Sequence, residues 1–217
     1  MSLILYAHPF SSYSHKVLIA LYENAIAFEF RMLNDEQGFA ELEAFWPLKK
    51  FPVLVDGTAT VIETSIIIEY LQQHVPGPVR LIPDDPTLAL RTRFMDRFFD
   101  NYIMTPMQKI VGDSLRALAS RDHTGVTEAK AELAISYHWL DSILRDRPWA
   151  AGEQFSLADC AAAPSLFYAD WVHAIDHRLS NVRDYRQRLL ARPSIARVID
   201  EARPYRHLFP PGAPNRD

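Results

Sequence analysis

The stretch Tyr-Ala-His-Pro-Phe-Ser-Ser-Tyr-Ser-His-Lys-Val at residues 6–17 decides the fold of the N-terminal half. It continues a short apolar run, Leu3 to Leu5, of the kind that forms a buried strand. Pro9 ends this strand, and the residues that follow it, up to Ser12, form a turn. Apolar residues then recur at the i, i+3, i+4 spacing of an amphipathic helix. The stretch therefore predicts a strand, a tight turn and the start of a helix.

The predicted turn carries hydroxyl groups beside the first turn of the helix. Ser11 and Ser14 have the spacing of a Cys-x-x-Cys redox motif, with hydroxyls in place of both thiols. Unpaired backbone N–H groups at a helix start favour a negative charge. A hydroxyl there cannot exchange disulfides, but it can donate a hydrogen bond to the thiolate of another molecule.

Composition sets the broad class of the protein. A chain of 217 residues with 48% apolar and 23% charged residues is typical of a globular protein and long enough for two small domains. The net charge of −4 gives no reason to expect nucleic acid or an anionic membrane as a partner. No apolar run approaches the roughly 20 residues of a membrane helix, and the N-terminus does not resemble a signal peptide. The single cysteine, Cys160, excludes an internal disulfide and suits a reducing compartment, so we expect a cytoplasmic protein.

The first part of the chain alternates between strand and helix patterns. Residues 27–32 alternate like a strand, and residues 36–45 form a plausible short helix. Two β-rich runs flank Asp56-Gly57, which predicts a hairpin with a type I′ turn and positive φ at both residues. Glu63 then opens a helix. The order β-α-β-α-β-β-α implies a small mixed sheet with helices on its faces.

The second part of the chain is helical. Proline-rich stretches end the first domain and mark residues 78–86 as an extended linker. Thr87 to about Ala119 forms one long helical stretch, in which Pro106 predicts a kink. The further predicted helices cover residues 128–144, 157–172, 182–190 and 194–203.

One helix start in this half has a specific signature. Ser156 is an N-cap with Asp159 three residues on, which is a capping-box arrangement. Phe155 and Cys160 fall at the two positions that form a hydrophobic staple. This explains the lone cysteine as a small buried residue and not as a reactive thiol.

Together these motifs resemble the cytosolic glutathione transferase family over Leu3 to Leu208. The resemblance implies an α/β thioredoxin-like domain at residues 1–77, an all-α helical-bundle domain at 87–208, and a homodimer. Four motifs carry it: Ser11-Ser12-Tyr13-Ser14 running into Lys16-Val17-Leu18-Ile19-Ala20-Leu21, Lys50-Phe51-Pro52-Val53-Leu54, Glu63-Thr64-Ser65-Ile66-Ile67-Ile68-Glu69-Tyr70-Leu71, and the capping box with its staple.

The family resemblance implies a site for glutathione as co-substrate. A cis bond before Pro52 would turn the backbone of Phe51 toward the cysteinyl part of the ligand. Glu63 would take the γ-glutamyl ammonium, and Thr64 with the nearby N–H groups would take its carboxylate. Lys50 would balance the glycyl carboxylate.

Ser11 is the implied catalytic residue. Its hydroxyl would donate to the glutathione sulfur and lower the pKa of the thiol from about 8.5 toward neutral pH. Ser12 and Tyr6 are the alternative contacts for the sulfur. The serine turn is most similar to the zeta and theta classes of the family. Gln37 stands where the zeta class places a glutathione-contacting glutamine, whereas Tyr13 replaces the cysteine of that class.

The second substrate implied by the resemblance is a small hydrophobic electrophile. Residues on the first long helix are expected to line its pocket: Tyr102, Met104, Thr105 and Lys109. His173 and His177 with Asp170 have the spacing of two metal ligands, but no third ligand is evident, so we expect no metal.

Three hypotheses follow. The first is a glutathione S-transferase acting in detoxification, with Ser11 as the activating group. The second is a zeta-type glutathione-dependent cis-trans isomerase resembling maleylacetoacetate isomerase. The third is a non-catalytic binding or scaffold protein of the same fold. A glutaredoxin-like reductase is disfavoured because neither turn position is a thiol.

Overall fold

A four-stranded mixed sheet forms the base of the N-terminal domain in the computed structural model, which describes residues 3–217. Its strands are β1 (Leu3–Ala7), β2 (Phe28–Met32), β3 (Val53–Asp56) and β4 (Ala59–Val61). They lie in the order β2-β1-β3-β4, with β1 parallel to β2 and the other neighbours antiparallel. The predicted mixed sheet is therefore confirmed.

Three helices cover the two faces of this sheet. They are α1 (Ser12–Glu23), α2 (Glu36–Phe45) and α3 (Thr64–His74). Alternate strand residues point to opposite faces, so Leu5 packs in the core with α1 and α3. Tyr6 packs with Leu42 of α2 on the other face. The sheet is thus buried on both sides, as in a thioredoxin-like domain.

The hairpin between β3 and β4 is present, but its turn differs from the prediction. Asp56 is the last residue of β3 and pairs with Ala59, so Gly57 and Thr58 form the turn. Gly57 has a φ of 58°, whereas Asp56 has no positive φ. The strand pairing extends one residue further than the Asp-Gly signal implies, and glycine alone supplies the left-handed conformation.

The C-terminal domain is helical throughout. After the linker come α4 (Pro86–Phe98), α5 (Thr105–Ser114), α6 (His123–Leu144), α7 (Leu157–Val172), α8 (Ser180–Leu190) and α9 (Pro193–Ala202). Single 3₁₀ segments cover Leu118–Ser120 and Arg203–Leu208. Within residues 3–217, no helix has both the length and the apolar character needed to span a membrane.

The long first helix of this domain is interrupted where proline was expected to kink it. A π-helical segment, Phe99–Met104, separates α4 from α5, and Pro106 lies in the first turn of α5. Proline lacks the N–H that would continue the regular ladder. The wider turn just before it brings Asp100 and Asn101 to the interface between the domains, where they line a cleft described below.

Helix α7 is the core helix of the molecule. Every residue from Leu157 to Asp170 is buried, and α7 packs on both α1 and α4. Its start is fixed by the fully buried Asp159, whose carboxylate accepts hydrogen bonds from the Ser156 N–H at 2.8 Å and the Tyr185 hydroxyl at 2.6 Å. Cys160 is also fully buried, and burial raises the pKa of its thiol, as expected for a structural residue.

Candidate functional site

A polar cleft of 370 Å³ lies between the two domains. Its residues are Tyr13, Trp46, Lys50, Phe51, Pro52, Ile62, Glu63, Thr64, Arg97, Asp100, Asn101 and Gln108. The N-terminal domain supplies the first eight, and α4, α5 and the π-helical segment supply the other four. Five of the residues predicted to bind glutathione therefore line one cleft: Lys50, Phe51, Pro52, Glu63 and Thr64.

The start of α3 gives this cleft an anion-binding character. Glu63 is the N-cap but makes no capping hydrogen bond with its side chain, which leaves the first N–H groups of α3 without that partner. Thr64, the first helical residue, is 6% exposed. A carboxylate bound here would receive backbone N–H groups and the positive end of the helix dipole.

Two backbone features shape the same wall. The Phe51–Pro52 peptide bond is cis, as the resemblance implied. Glu63 has φ 70° and ψ 121°, a conformation that residues other than glycine adopt rarely. Such a conformation costs of order 1–3 kcal/mol and persists at functional sites, where the surroundings hold it in place. It supports a functional assignment for Glu63.

An apolar cavity of 420 Å³ adjoins the polar cleft. Its residues are Phe10, Ser11, Ser12, Met107, Gln108, Val111, Gly112, Tyr168, Leu208, Phe209 and Pro210. Gln108 lines both spaces, and Ser11 and Tyr13, two residues apart, line one each. The serine turn thus presents Ser11 to the apolar cavity and Tyr13 to the polar cleft.

Ser11 is the N-cap of α1. Its Oγ accepts a hydrogen bond from the Ser14 backbone N–H at 3.3 Å, and its own N–H donates to the His8 carbonyl at 3.0 Å. A serine hydroxyl carries one proton besides its two lone pairs. Since the Ser14 N–H takes up a lone pair, the hydroxyl proton is left to donate. This is the arrangement that stabilising a thiolate requires.

Two of the other predicted contacts lie outside both spaces. Gln37 is exposed at the start of α2, where its amide donates to Glu41 at 2.9 Å. Tyr6 is 8% exposed beneath α2, with its ring 5.3 Å from that of Phe45. Of the two alternatives to Ser11, only Ser12 lines the apolar cavity.

The predicted electrophile residues lie near the apolar cavity but do not line it. Met104 is buried in the core, and the exposed Tyr102 packs against Phe98. Thr105 donates its hydroxyl to the Asp100 carbonyl, and Lys109 pairs with Asp122. The helix face that reaches the cavity is offset by part of a turn and carries Met107, Gln108 and Val111.

A charge cluster of four side chains, Lys16, Asp96, Arg97 and Asp100, adjoins the polar cleft, which Arg97 and Asp100 line. The Lys16 ammonium, 1% exposed, lies 2.6 Å from Asp96 and 2.8 Å from Asp100, and Arg97 also pairs with both aspartates. Ser65 joins the cluster by donating to Asp96 at 2.7 Å. Two cations and two anions balance, which is how charges are tolerated at this depth.

Burial controls proton affinities around this cluster. It raises the pKa of the Asp100 carboxyl, and the Lys16 charge opposes that rise. It also raises the pKa of Tyr13 to about 12, with a further contribution from the Asp100 charge. Tyr13 is therefore a neutral phenol at physiological pH and faces the cleft as a hydrogen-bonding group.

Sequence reasoning missed the charge cluster. Lys16 appears in the first motif, but its side chain was assigned no role. Two signals were available: a lysine directly preceding the apolar run from Val17 to Leu21, and aspartates four residues apart at Asp96 and Asp100 in an apolar helix. Charged residues are almost never fully buried unless they are paired. A lysine and two aspartates at positions expected to be buried are therefore candidate partners for one another.

The histidines of the C-terminal domain do not form a metal site with other side chains among the described residues. No group of three or more His, Cys, Asp or Glu side chains between residues 3 and 217 is arranged to hold an ion. The Asp170 carboxylate instead pairs with Arg186 and Arg216.

Comparison with known proteins identifies the architecture. Residues 5–79 match the family model "Glutathione S-transferase, N-terminal domain", and residues 125–188 match "Glutathione S-transferase, C-terminal domain". A "Stringent starvation protein A homolog" of Coxiella burnetii is 25% identical over 91% of each chain. A "Probable maleylacetoacetate isomerase" of Vibrio cholerae is 25% identical over 94% of this chain and 98% of its own.

A solved structure shares the fold over nearly the whole chain. The glutathione S-transferase of Methylobacterium radiotolerans, in complex with glutathione sulfonate, is 27% identical to this chain. It superposes with a TM-score of 0.80 and covers 92% of this chain and 95% of its own. Both family domains, the cis-proline cleft and the serine turn occur in the expected order, so this chain belongs to the glutathione S-transferase family.

Proposed function

We propose that this enzyme binds glutathione in the polar cleft and activates its thiol with Ser11 for conjugation to a small hydrophobic electrophile. The observation that carries the proposal is the Ser11 hydroxyl, whose Oγ accepts the Ser14 N–H and which lines the apolar cavity beside the polar cleft. Glutathione transferase activity itself follows from the family. The serine role and the electrophile class are the proposed parts.

The cleft offers a counterpart for each charged part of glutathione. Glu63 suits the γ-glutamyl ammonium, the start of α3 with Thr64 suits the neighbouring carboxylate, and Lys50 suits the glycyl carboxylate. The backbone of Phe51 at the cis bond suits the cysteinyl part. Gln37 remains a predicted contact only if α2 moves toward the cleft on binding.

Catalysis in this proposal needs no covalent intermediate on the protein. The Ser11 hydroxyl and the start of α1 stabilise the thiolate, and the thiolate is the nucleophile. The adjoining apolar cavity holds the electrophile close to the sulfur, which contributes proximity. Each unit by which the thiol pKa falls corresponds to about 1.4 kcal/mol in favour of the thiolate.

The serine role is tested by measuring the pKa of the thiol of bound glutathione. The readout is the ultraviolet absorbance of the thiolate as a function of pH. We expect a near-neutral pKa in the wild type and a return toward about 8.5 in Ser11→Ala, with kcat/KM lower by about 100-fold. Ser12→Ala is the matched control, and it should keep the near-neutral value. A loss of the shift in Ser12→Ala but not in Ser11→Ala would transfer the role to Ser12.

Calorimetry with glutathione tests the non-catalytic alternative. If the wild type bound no glutathione at millimolar concentration, the scaffold hypothesis would replace the enzymatic one. If both the wild type and Ser11→Ala bind glutathione, but only the wild type lowers the pKa of its thiol, the enzymatic hypothesis is favoured.

A zeta-type isomerase is the second candidate function. The observation in its favour is the Vibrio cholerae relative named as a probable maleylacetoacetate isomerase, which aligns with nearly the whole chain. Tyr13 at the position of the class cysteine speaks against it. Glutathione-dependent isomerisation of maleylacetoacetate, measured beside conjugation of an aromatic halide, separates the two.

A homodimer is the proposed assembly, with a cytoplasmic location. On α3 and α4 an apolar patch, Ile66 and Leu90, flanks the Glu69–Arg93 ion pair that joins the two helices. Ile66 is 54% exposed one turn before Glu69, and Leu90 is 70% exposed one turn before Arg93. Apolar side chains that share a surface in this way favour burial against a second copy.

A further inference from the structure

The turn that presents Ser11 is held by two buried rings outside the turn. The His15 Nε2 lies 2.6 Å from the Pro9 carbonyl oxygen, and the Tyr168 hydroxyl donates to the Phe10 carbonyl oxygen at 3.1 Å. Both rings are 2% exposed. The two carbonyls that directly precede Ser11 therefore each receive one donor from a side chain that solvent does not reach.

The protonation state of His15 follows from this geometry. A carbonyl oxygen only accepts hydrogen bonds, so the Nε2 must carry the proton and donate it. Burial lowers the pKa of His15 to about 4, so the ring is a neutral donor at physiological pH. The groups that face it are the Pro9 carbonyl and the Tyr168 hydroxyl, whose oxygen lies 3.5 Å from Nε2.

Tyr168 belongs to the other domain. It lies on α7, and its ring packs edge-on against Phe10, with the centroids 5.5 Å apart. Phe209, from the C-terminal segment, contacts both rings at centroid distances of 6.2 and 6.4 Å. The same Tyr168 side chain also lines the apolar cavity. One residue thus contacts both the serine turn and the space for the second substrate.

We propose that His15 and Tyr168 are positioning residues that clamp the Pro9 and Phe10 carbonyls and so aim the Ser11 hydroxyl at the glutathione sulfur. This inference deepens the proposed function and rests on it. A displacement of the turn changes the direction of the Ser11 proton, and a hydrogen bond weakens steeply as its angle departs from linear. Activation of the thiol then depends on a hydroxyl supplied by the helical domain.

The test uses Tyr168→Phe, which removes the hydroxyl and keeps the ring. Its matched control is Tyr137→Phe. Tyr137 is 1% exposed, and its hydroxyl donates a hydrogen bond of 3.3 Å to the His173 backbone carbonyl, which is not part of the serine turn. The readout is the pKa of the bound thiol with no electrophile present, so the role of Tyr168 as a cavity wall does not enter. We expect a rise of about half a unit or more in Tyr168→Phe and none in Tyr137→Phe.

A second pair of variants tests the other ring. His15→Leu removes the donor to the Pro9 carbonyl, whereas His15→Gln carries an amide N–H near the position of Nε2. We expect His15→Leu to raise the thiol pKa and to lower kcat more than it raises KM for glutathione. His15→Gln should restore both the thiol pKa and kcat most of the way to the wild-type values. Recovery by an amide distinguishes a positioning hydrogen bond from a requirement for the ring.

The outcomes separate this inference from the proposed function. Suppose that Tyr168→Phe and His15→Leu lower the pKa of the thiol as much as the wild type does. The proposed positioning role of the two rings is then wrong, and the role of Ser11 stands. If the wild type does not lower the thiol pKa, the serine role is wrong and the clamp falls with it. An equal rise in Tyr168→Phe and Tyr137→Phe would also overturn the clamp, since it would reflect a general loss of packing.

Discussion

His15 makes the stability of the protein depend on pH in a specific direction. Its pKa in the folded protein is about 4, below its ordinary value of 6.5, because burial disfavours the charged ring. The unfolded chain therefore binds a proton between these two values that the folded chain does not. The contribution of the neutral ring is complete above pH 6.5 and is lost as the pH falls toward 4.

We predict that the unfolding free energy falls by about 2 kcal/mol from pH 7 to pH 5 because of His15 alone. The measurement is urea denaturation at both pH values for the wild type and His15→Gln, which has no titrating group at this position. Every other group titrates in both proteins, so the difference between them isolates His15. An equal loss in the two proteins would show that His15 has the same pKa in the folded and unfolded chains, which would contradict the prediction.

At the scale of single residues, prediction from sequence succeeds where one motif defines one conformation. The cis bond at Pro52 was implied by a motif quoted from the sequence, and Pro52 lines the cleft. The positive φ of Glu63 was not predicted, although Glu63 lines the same cleft. Gln37 illustrates the limit. Its position in the sequence does not fix the distance of α2 from the cleft, which depends on packing.

The contact between α1 and α4 rests on the charge cluster. Lys16 on α1 is the buried cation that reaches both Asp96 of α4 and Asp100 of the π-helical segment. Removing one partner of a buried ion pair leaves the other charge uncompensated, which costs more than the pair itself contributes.

Accordingly, Lys16→Met should lower the unfolding free energy by about 3–5 kcal/mol, measured by urea denaturation at neutral pH. Lys130→Met, at an exposed lysine of α6, is the control and should change it by less than about 0.5 kcal/mol. A Lys16→Met protein as stable as the control would mean that Arg97 alone neutralises both aspartates.

At the element scale, boundaries were predictable where a local signal ends the element. Helix α7 spans the predicted residues Leu157 to Val172 because its cap is encoded next to it. Helix α6 begins at His123, five residues before the predicted start, since Asp122 caps it through the Gly125 N–H. For the π-helical segment the local signal was incomplete: Pro106 predicts an interruption, but not that the turn before it, Phe99–Met104, widens into a π-helix.

At the scale of the whole molecule, the order of elements was sufficient to predict a small mixed sheet with helices on its faces, followed by a helical domain. The thioredoxin-like fold was implied by the family resemblance. The position of the apolar cavity was not predictable to the residue. Met104, at the end of the π-helical segment, is buried in the core, whereas Met107 of α5 lines the cavity, and the rotation of this helical stretch about its axis decides that difference. Helical spacing alone does not determine that rotation.

We predict that Leu90→Glu converts the proposed homodimer into a monomer, because it places a charge in the apolar patch on α3 and α4. The measurement is the molar mass in solution by light scattering over a range of protein concentrations. Leu118→Glu is the matched control, since Leu118 is 78% exposed in a 3₁₀ segment away from that patch. A dimer that survives Leu90→Glu but not Leu118→Glu would move the interface to the end of α5.

The left-handed backbone at Glu63 bears on attempts to make this protein more heat-resistant. Glycine adopts a positive φ without steric penalty, so a screen that selects only for higher melting temperature would favour Glu63→Gly. The same replacement deletes the carboxylate proposed to receive the ammonium of glutathione. Selection at this position therefore needs a ligand-binding step beside the thermal one, or it will enrich robust proteins that have lost their substrate.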